Sequence, residues 1–182
     1  MELLKFISVL LLIFIFARCE ELSDYDNQRI KEAFADSLIT SSTSTDISMD
    51  ILEDGVLKLT LKSPRALTIT RERVKTTYLR GPVKINIFEN DTLDTRVLAD
   101  SAIYLAKEAQ FELFGNVAVK SKNRRSLYSD YLKWLSESDK VTTPGRVLII
   151  TQTDSIAATG FEGNTNLTNY TLTEVTGKTQ FN

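Results

Sequence analysis

The sequence predicts an all-β fold, and three observations carry that prediction. From Ile47 onward, apolar residues recur at every second position. Turn-forming residues interrupt the chain at intervals of roughly 8–12 residues, the spacing of short strands joined by turns. Beyond the apolar run at the start of the chain, no long stretch keeps the 3.6-residue period of an amphipathic helix.

An internal repeat supports the same class. Ala99-Asp100-Ser101-Ala102-Ile103-Tyr104 is followed by Gly115-Asn116-Val117-Ala118-Val119. Ser129-Asp130-Tyr131-Leu132-Lys133-Trp134 is followed by Gly145-Arg146-Val147-Leu148-Ile149. Asp100 and Asp130 are offset by the same interval as Gly115 and Gly145. A repeat of this length indicates stacked supersecondary units.

Residues 1–19 read as an export signal or membrane anchor. Lys5 precedes an apolar run from Phe6 to Ala17. Leu3 to Ala17 gives only ~22 Å of helix against a hydrocarbon core of ~30 Å, so a full span would be strained. Cys19 directly after the run is a candidate for acylation, although Arg18 sits where a small residue is expected before a lipidated cysteine. Residues 20–46 read as a polar linker. Ile30, Ala33, Phe34 and Ser37 suggest a turn or two of helix, and Ser41 to Thr45 reads as linker or extended chain.

Residues 47–182 form the β domain. Leu57, Leu59 and Leu61 alternate with Lys58, Thr60 and Lys62, and Leu67 and Ile69 follow Pro64. Val74, Thr76 and Tyr78 alternate up to a turn at Gly81-Pro82. Val83, Ile85 and Ile87 lead to a turn at Glu89-Asn90-Asp91-Thr92. Strands are expected over 97–104, 111–119, 126–134, 146–151, 155–161 and 167–175. Lys107-Glu108-Ala109, Asn123-Arg124-Arg125 and Glu137 to Lys140 separate them as solvated turns. The basic cluster Lys120, Lys122, Arg124 and Arg125 could also meet a phosphate.

Composition narrows the function. The chain has 22 basic and 24 acidic residues. Without Glu2, Lys5 and Arg18 of the leading segment this becomes 20 against 23, which argues against a general nucleic-acid binder. There is no histidine, and Cys19 is the only cysteine. Histidine-based triads, Cys–His dyads and the usual zinc sites are therefore excluded, as is an internal disulfide. Asp100 and Asp130 could in principle act as paired carboxylates, but their repeat positions favour a role in accepting backbone hydrogen bonds where a strand starts. Ser136 and Lys140 flank a charged turn with nothing else to make them a catalytic pair. The glycines form no phosphate-cradling loop. Neither cofactor nor metal nor catalytic residue is expected.

The apolar face remains. Alternation points Leu57, Leu59, Leu61, Val83, Ile85, Phe111, Val117, Val119, Leu132, Trp134, Val147 and Ile149 inward. In a closed sandwich they fill a core; in an open roll they line a groove. Burying a methylene contributes ~0.8 kcal/mol, so a groove that took ten methylenes from water would gain on the order of 8 kcal/mol. Periodicity leaves both readings open.

The exported anchor, the β body and the repeat resemble the LptC family of lipopolysaccharide-export proteins. The likeness runs from Ile47 to Lys178. It is sharpest in Ala99-Asp100-x-Ala102-x-Tyr104, Gly115-Asn116-Val117-x-Val119 and Leu127-Tyr128-Ser129-Asp130-x-Leu132-x-Trp134, and Gly160-Phe161 and Tyr170 fit the closing strands. The resemblance implies a twisted, open, OstA-like β-jellyroll of stacked antiparallel strands behind an N-terminal hydrophobic helix. It implies a periplasmic domain tethered to the inner membrane, which accepts lipopolysaccharide from the LptB–LptF–LptG transporter and passes it to LptA. On this reading acyl chains lie in the groove. The strand near Ile47 to Leu61 faces the transporter, and an edge carrying Leu167, Tyr170, Leu172 and Val175 faces LptA. Two readings compete with it: an exported scaffold sandwich without a lipid ligand, and a carboxylate-dependent glycan hydrolase. The latter would need two carboxylates ~5–9.5 Å apart in a cleft.

Overall fold

The computed structural model describes residues 39–180. The helix and Cys19 expected within residues 1–19 lie outside them, as do residues 20–38 of the expected linker. The described chain is a single sheet of nine antiparallel strands in sequence order, with a short 3-10 turn at Ala106–Glu108. The strands are β1 Ile39–Glu53, β2 Val56–Arg71, β3 Val74–Glu89, β4 Thr92–Leu105, β5 Gln110–Ser121, β6 Ser126–Leu135, β7 Lys140–Ile150, β8 Asp154–Gly163 and β9 Tyr170–Gln180. β1 and β9 are the free edges, so the sheet does not close on itself. This is the all-β fold that the sequence predicts, in the twisted open β-jellyroll form that the resemblance implies.

The first three hairpins turn on two residues at positive φ. These are Asp54-Gly55 (51° and 80°), Glu72-Arg73 (49° and 68°) and Asn90-Asp91 (50° and 57°). Two consecutive positive φ angles are what a type I′ hairpin requires, and its twist matches that of the strands.

A line of irregularities crosses the sheet halfway along the strands. Register shifts fall at Lys62/Arg65, Arg80/Val83, Leu98/Ser101, Phe114/Val117, Ser129/Lys133 and Thr143/Arg146. The chain's three prolines, Pro64, Pro82 and Pro144, all lie within these shifts. Proline cannot donate to a ladder and is tolerated inside a sheet only where the ladder is interrupted. Hydroxyls bridge the interruption. Ser63 Oγ sits between the carbonyl oxygens of Arg65 (3.0 Å) and Arg80 (3.2 Å), and Ser129 Oγ between those of Tyr131 (3.1 Å) and Arg146 (2.9 Å). Gly115 has φ +72° and passes so close to β4 that a Cβ would lie 2.6 Å from Asp100 Oδ2.

This crease folds the sheet into two leaves. One leaf ends in the β1–β2, β3–β4, β5–β6 and β7–β8 turns, the other in the β2–β3, β4–β5, β6–β7 and β8–β9 turns. Inward residues of the first leaf form an unbroken aliphatic row, Met49–Leu61–Ile85–Val97–Val119–Leu127–Ile149–Ile156. The second leaf contributes Leu79, Ala102, Leu113, Leu132 and Phe161, and both leaves join one core. In β2, β4, β6 and β8 the inward positions change from odd to even or back at the crease, as in Leu59, Leu61, Ser63, then Ala66. One bulge per strand makes that slip.

Several sequence expectations are corrected here. Gly81-Pro82 is not a turn but the crease of β3, because it lies where the ladder is already broken. Asp100 and Asp130 sit mid-strand, not at strand starts; Asp100 Oδ2 accepts a hydrogen bond from Asn116 Nδ2 at 2.7 Å. Ser41 to Thr45 takes the extended alternative, paired in β1 with Leu67, Ala66 and Arg65 among others. Leu57 to Leu61 lies in β2, an interior strand, so the N-terminal edge is β1 alone. Leu167 precedes β9. It lies fully buried at φ 58° in the Asn164–Asn169 loop, which folds its side chain into the core and removes it from the edge.

That loop seals the seam where the leaves meet opposite the crease. Arg125 Nη1 donates to the Leu167 carbonyl at 2.6 Å, and Thr165 Oγ1 donates to Asp139 Oδ1 at 2.7 Å. Removing the plug by Leu167→Ala is expected to cost about 3 kcal/mol, as for other fully buried leucines; chemical denaturation reads this directly. Glycine substitutions separate the crease from an ordinary turn. Gly55 also has positive φ, but nothing lies within 4 Å of its Cβ position. Gly55→Ala is therefore expected to cost about 1 kcal/mol and Gly115→Ala about 3 kcal/mol. Equal losses for the two would mean that the close approach of β5 to β4 does not matter.

Candidate functional site

The interior differs between its two ends. Toward β9 it is filled: Val117, Val119, Leu127, Leu132, Val147 and Ile149 are all buried, and Leu167 closes the seam above them. Toward β1 the leaves part around a cavity of about 510 Å³, inside the ~300–1,000 Å³ range of ligand pockets. The first leaf supplies Ile51, Leu59, Ile87 and Phe88; the second supplies Tyr104, Ala106, Ala109 and Trp134.

Topology brings these residues together. Ile51, Leu59 and Ile87 are consecutive cross-strand partners at the far end of the first leaf. Tyr104, Phe111 and Trp134 are consecutive partners at the end of the second. Their rings stack, Tyr104 on Phe111 at 4.4 Å and Phe111 on Trp134 at 5.1 Å between centroids. Offset aromatic stacks of this kind are rigid and resist collapse into the space beside them. Trp134 is 3% exposed, and its Nε1 has no hydrogen-bond partner among the described residues. Burial, with Glu137 as a second cause, raises the Tyr104 phenol above its ordinary pKa, so it remains a neutral hydroxyl.

The rim is acidic. Glu53, Glu89, Asp94, Glu137 and Asp139 line it, with Lys58 the one lining ammonium. Part of that charge is balanced. Lys58 Nζ meets Glu53 at 3.1 Å, while Lys122 Nζ meets Glu89 at 2.9 Å and Asp94 at 2.8 Å. Asp94, then Glu89, holds the Lys122 ammonium well above its usual pKa. The rim stays net negative around an apolar floor.

The residues that alternation points inward are inward. Leu57 is half-buried and the rest of that set belong to the core. Only Leu59 and Trp134 of the set line the cavity. Ile51, Ile87, Phe88 and Tyr104 were missed as lining residues. Ile87 and Tyr104 continue alternations visible in the sequence, but nothing there says that they come last on their leaves. On β9, Tyr170 and Leu172 are half-buried and Val175 is 59% exposed. The basic cluster disperses: Lys120 faces outward, Lys122 is held by two carboxylates, and Arg125 turns to the Leu167 carbonyl. Asp100 and Asp130 lie exposed at the crease, away from the cavity at the β1 end.

Comparison with curated proteins gives no match to this chain. Comparison with protein families gives one that spans nearly its whole length: the model described as "Lipopolysaccharide-assembly, LptC-related" matches residues 7–180. With the folded nine-stranded sheet and its apolar mouth, this match shows that the chain belongs to the LptC-related family of lipopolysaccharide-assembly proteins.

Proposed function

We propose that the chain accepts lipopolysaccharide acyl chains in the mouth at its β1 end, on the way from the inner membrane to a further periplasmic carrier. The family is transport-associated, periplasmic and bound to the inner membrane, so a part in lipopolysaccharide transport follows from membership. The finer reading names LptB–LptF–LptG as donor, meeting the β1 edge, and LptA as acceptor, meeting the β9 edge. One observation carries it: a cavity with an apolar floor opens between the leaves at the β1 end of a roll whose two edge strands, among the described residues, each pair on one side only. Unpaired edges are normally an aggregation hazard, and strand addition by a partner satisfies them. The filled β9 half favours a scaffold role for that half, with the acyl chains held at the open mouth.

Trp134 is the only tryptophan in the chain and lines the mouth, so it reports on occupancy without a label. Lipopolysaccharide with brominated acyl chains is expected to quench its emission, and the unbrominated lipid is not. Because the rim is acidic, the apparent affinity should rise with ionic strength as lipid phosphates are screened from it. Absence of bromine quenching at saturating lipid would sink the mouth as the acyl site.

The edge assignment is tested at Thr176. The β8 pairing passes from Gly177 to Val175 and skips this residue, so proline there alters the edge strand at a point where the ladder is already interrupted. Thr176→Pro is expected to abolish co-purification with LptA and leave that with the LptB–LptF–LptG transporter intact. Loss of the transporter contact as well would show the edges to be wrongly assigned.

A further inference from the structure

The outward face of the first leaf carries cations in an arrangement that costs stability. Lys62 pairs directly with Lys84 across β2 and β3, and Arg96 with Lys120 across β4 and β5. Just past the crease Arg65 pairs with Arg80. Like charges directly opposite on a sheet are destabilising. All six side chains are exposed, and among the described residues none has a carboxylate within ion-pair distance. Three such pairs sit together in a chain of net charge −2. The anions on the same face are Asp50, Asp100, Asp130 and Glu174, the last on the β9 edge strand opposite Thr159 and far from the cationic pairs. Asp50 pairs with Thr60 at the β1 edge, Asp100 is engaged by Asn116, and Asp130 stands at the crease.

The row that starts with these lysines continues as an apolar stripe. Lys62 and Lys84 are followed across the sheet by Leu98, Ala118, Tyr128, Leu148 and Ala157. Leu98 is 40% and Leu148 38% exposed. The face thus joins a cationic patch to a strip of leucine, alanine and tyrosine, the residue mix that settles at a bilayer interface.

We propose that this outer face of the first leaf lies on the surface of an anionic phospholipid bilayer. Lys62, Lys84, Arg96 and Lys120 would meet phosphate head groups, and Leu98, Tyr128 and Leu148 would enter the interfacial region. Charge complementarity selects a bilayer over an apolar protein partner: an uncompensated cationic patch beside an apolar strip fits a surface that offers both phosphate and hydrocarbon. The contact is separate from the acyl site, which lies on the inner side of the leaves.

The test uses the full chain reconstituted in vesicles, with a photoreactive phenylalanine analogue at Tyr128. A control analogue at Thr142 sits on the outer face of the other leaf. With phosphatidylglycerol in the vesicles, the Tyr128 position is expected to capture phospholipid at least about fivefold more than in phosphatidylcholine alone, and high salt should remove the difference. The pair Lys84→Glu and Arg96→Glu should reduce capture to the phosphatidylcholine level. The salt response of the unaltered surface gives the same reading should that variant fold poorly. Equal capture in both vesicle types, or capture at Thr142 equal to that at Tyr128, would overturn the proposal. So would adducts of lipopolysaccharide in place of phospholipid once lipopolysaccharide is added, since the patch would then bind that lipid's phosphates and not the bilayer.

Discussion

Proline has no backbone N–H, and in this chain every proline falls on one line across the sheet. That constraint organises the rest. A ladder interrupted at the same depth in strand after strand bends there. Bending brings the two halves of each strand face to face, and the aliphatic rows of the two leaves then bury one another. A flat sheet of these strands would leave one whole apolar face in water. The serine hydroxyls at positions 63 and 129 satisfy carbonyls that the interruption leaves over, so the bend exposes little unsatisfied backbone.

Folding a sheet along one line produces two unlike margins. The crease is covalently continuous, whereas the seam opposite is held only by what the turns supply. Near β9 the turns supply a plug and a charged hydrogen bond, Leu167 and Arg125. Near β1 the strand ends and the β6–β7 turn supply acidic side chains, and the aromatic row stacked across β4, β5 and β6 does not fill the gap. Closure at the β9 end therefore follows from loop chemistry, and the opening at the β1 end from the side chains that end the strands there.

Much of this was legible in the sequence, and the failures share a cause. Alternation within a half-strand identified the inward residues, because period two holds as long as no bulge intervenes. Gly81-Pro82 reads as a chain reversal in the sequence, because a glycine–proline break looks the same whether the chain turns back or bends and continues. The repeat was read in the right register but with the wrong meaning: Asp100, Gly115, Asp130 and Gly145 mark successive crossings of the crease, not strand starts. The mouth was the least legible part. Its lining depends on which side chains stand last on each leaf, and that is set by where the crease falls. Leu167 could not be separated from an edge-strand residue by periodicity, since its burial depends on a loop closing across the seam.

Each strand pairs only with its neighbours in sequence. The sheet can therefore form one hairpin at a time as the chain emerges from an export channel, without waiting for a distant segment to arrive. Loop closure is short at every step, so the entropic barrier stays low throughout. The same order makes the architecture modular in length. A hairpin inserted between two rungs extends the roll along its axis and re-threads nothing. The distance that such a protein bridges is thus a count of hairpins, open to change by duplication of a segment like the one repeated around Asp100 and Asp130.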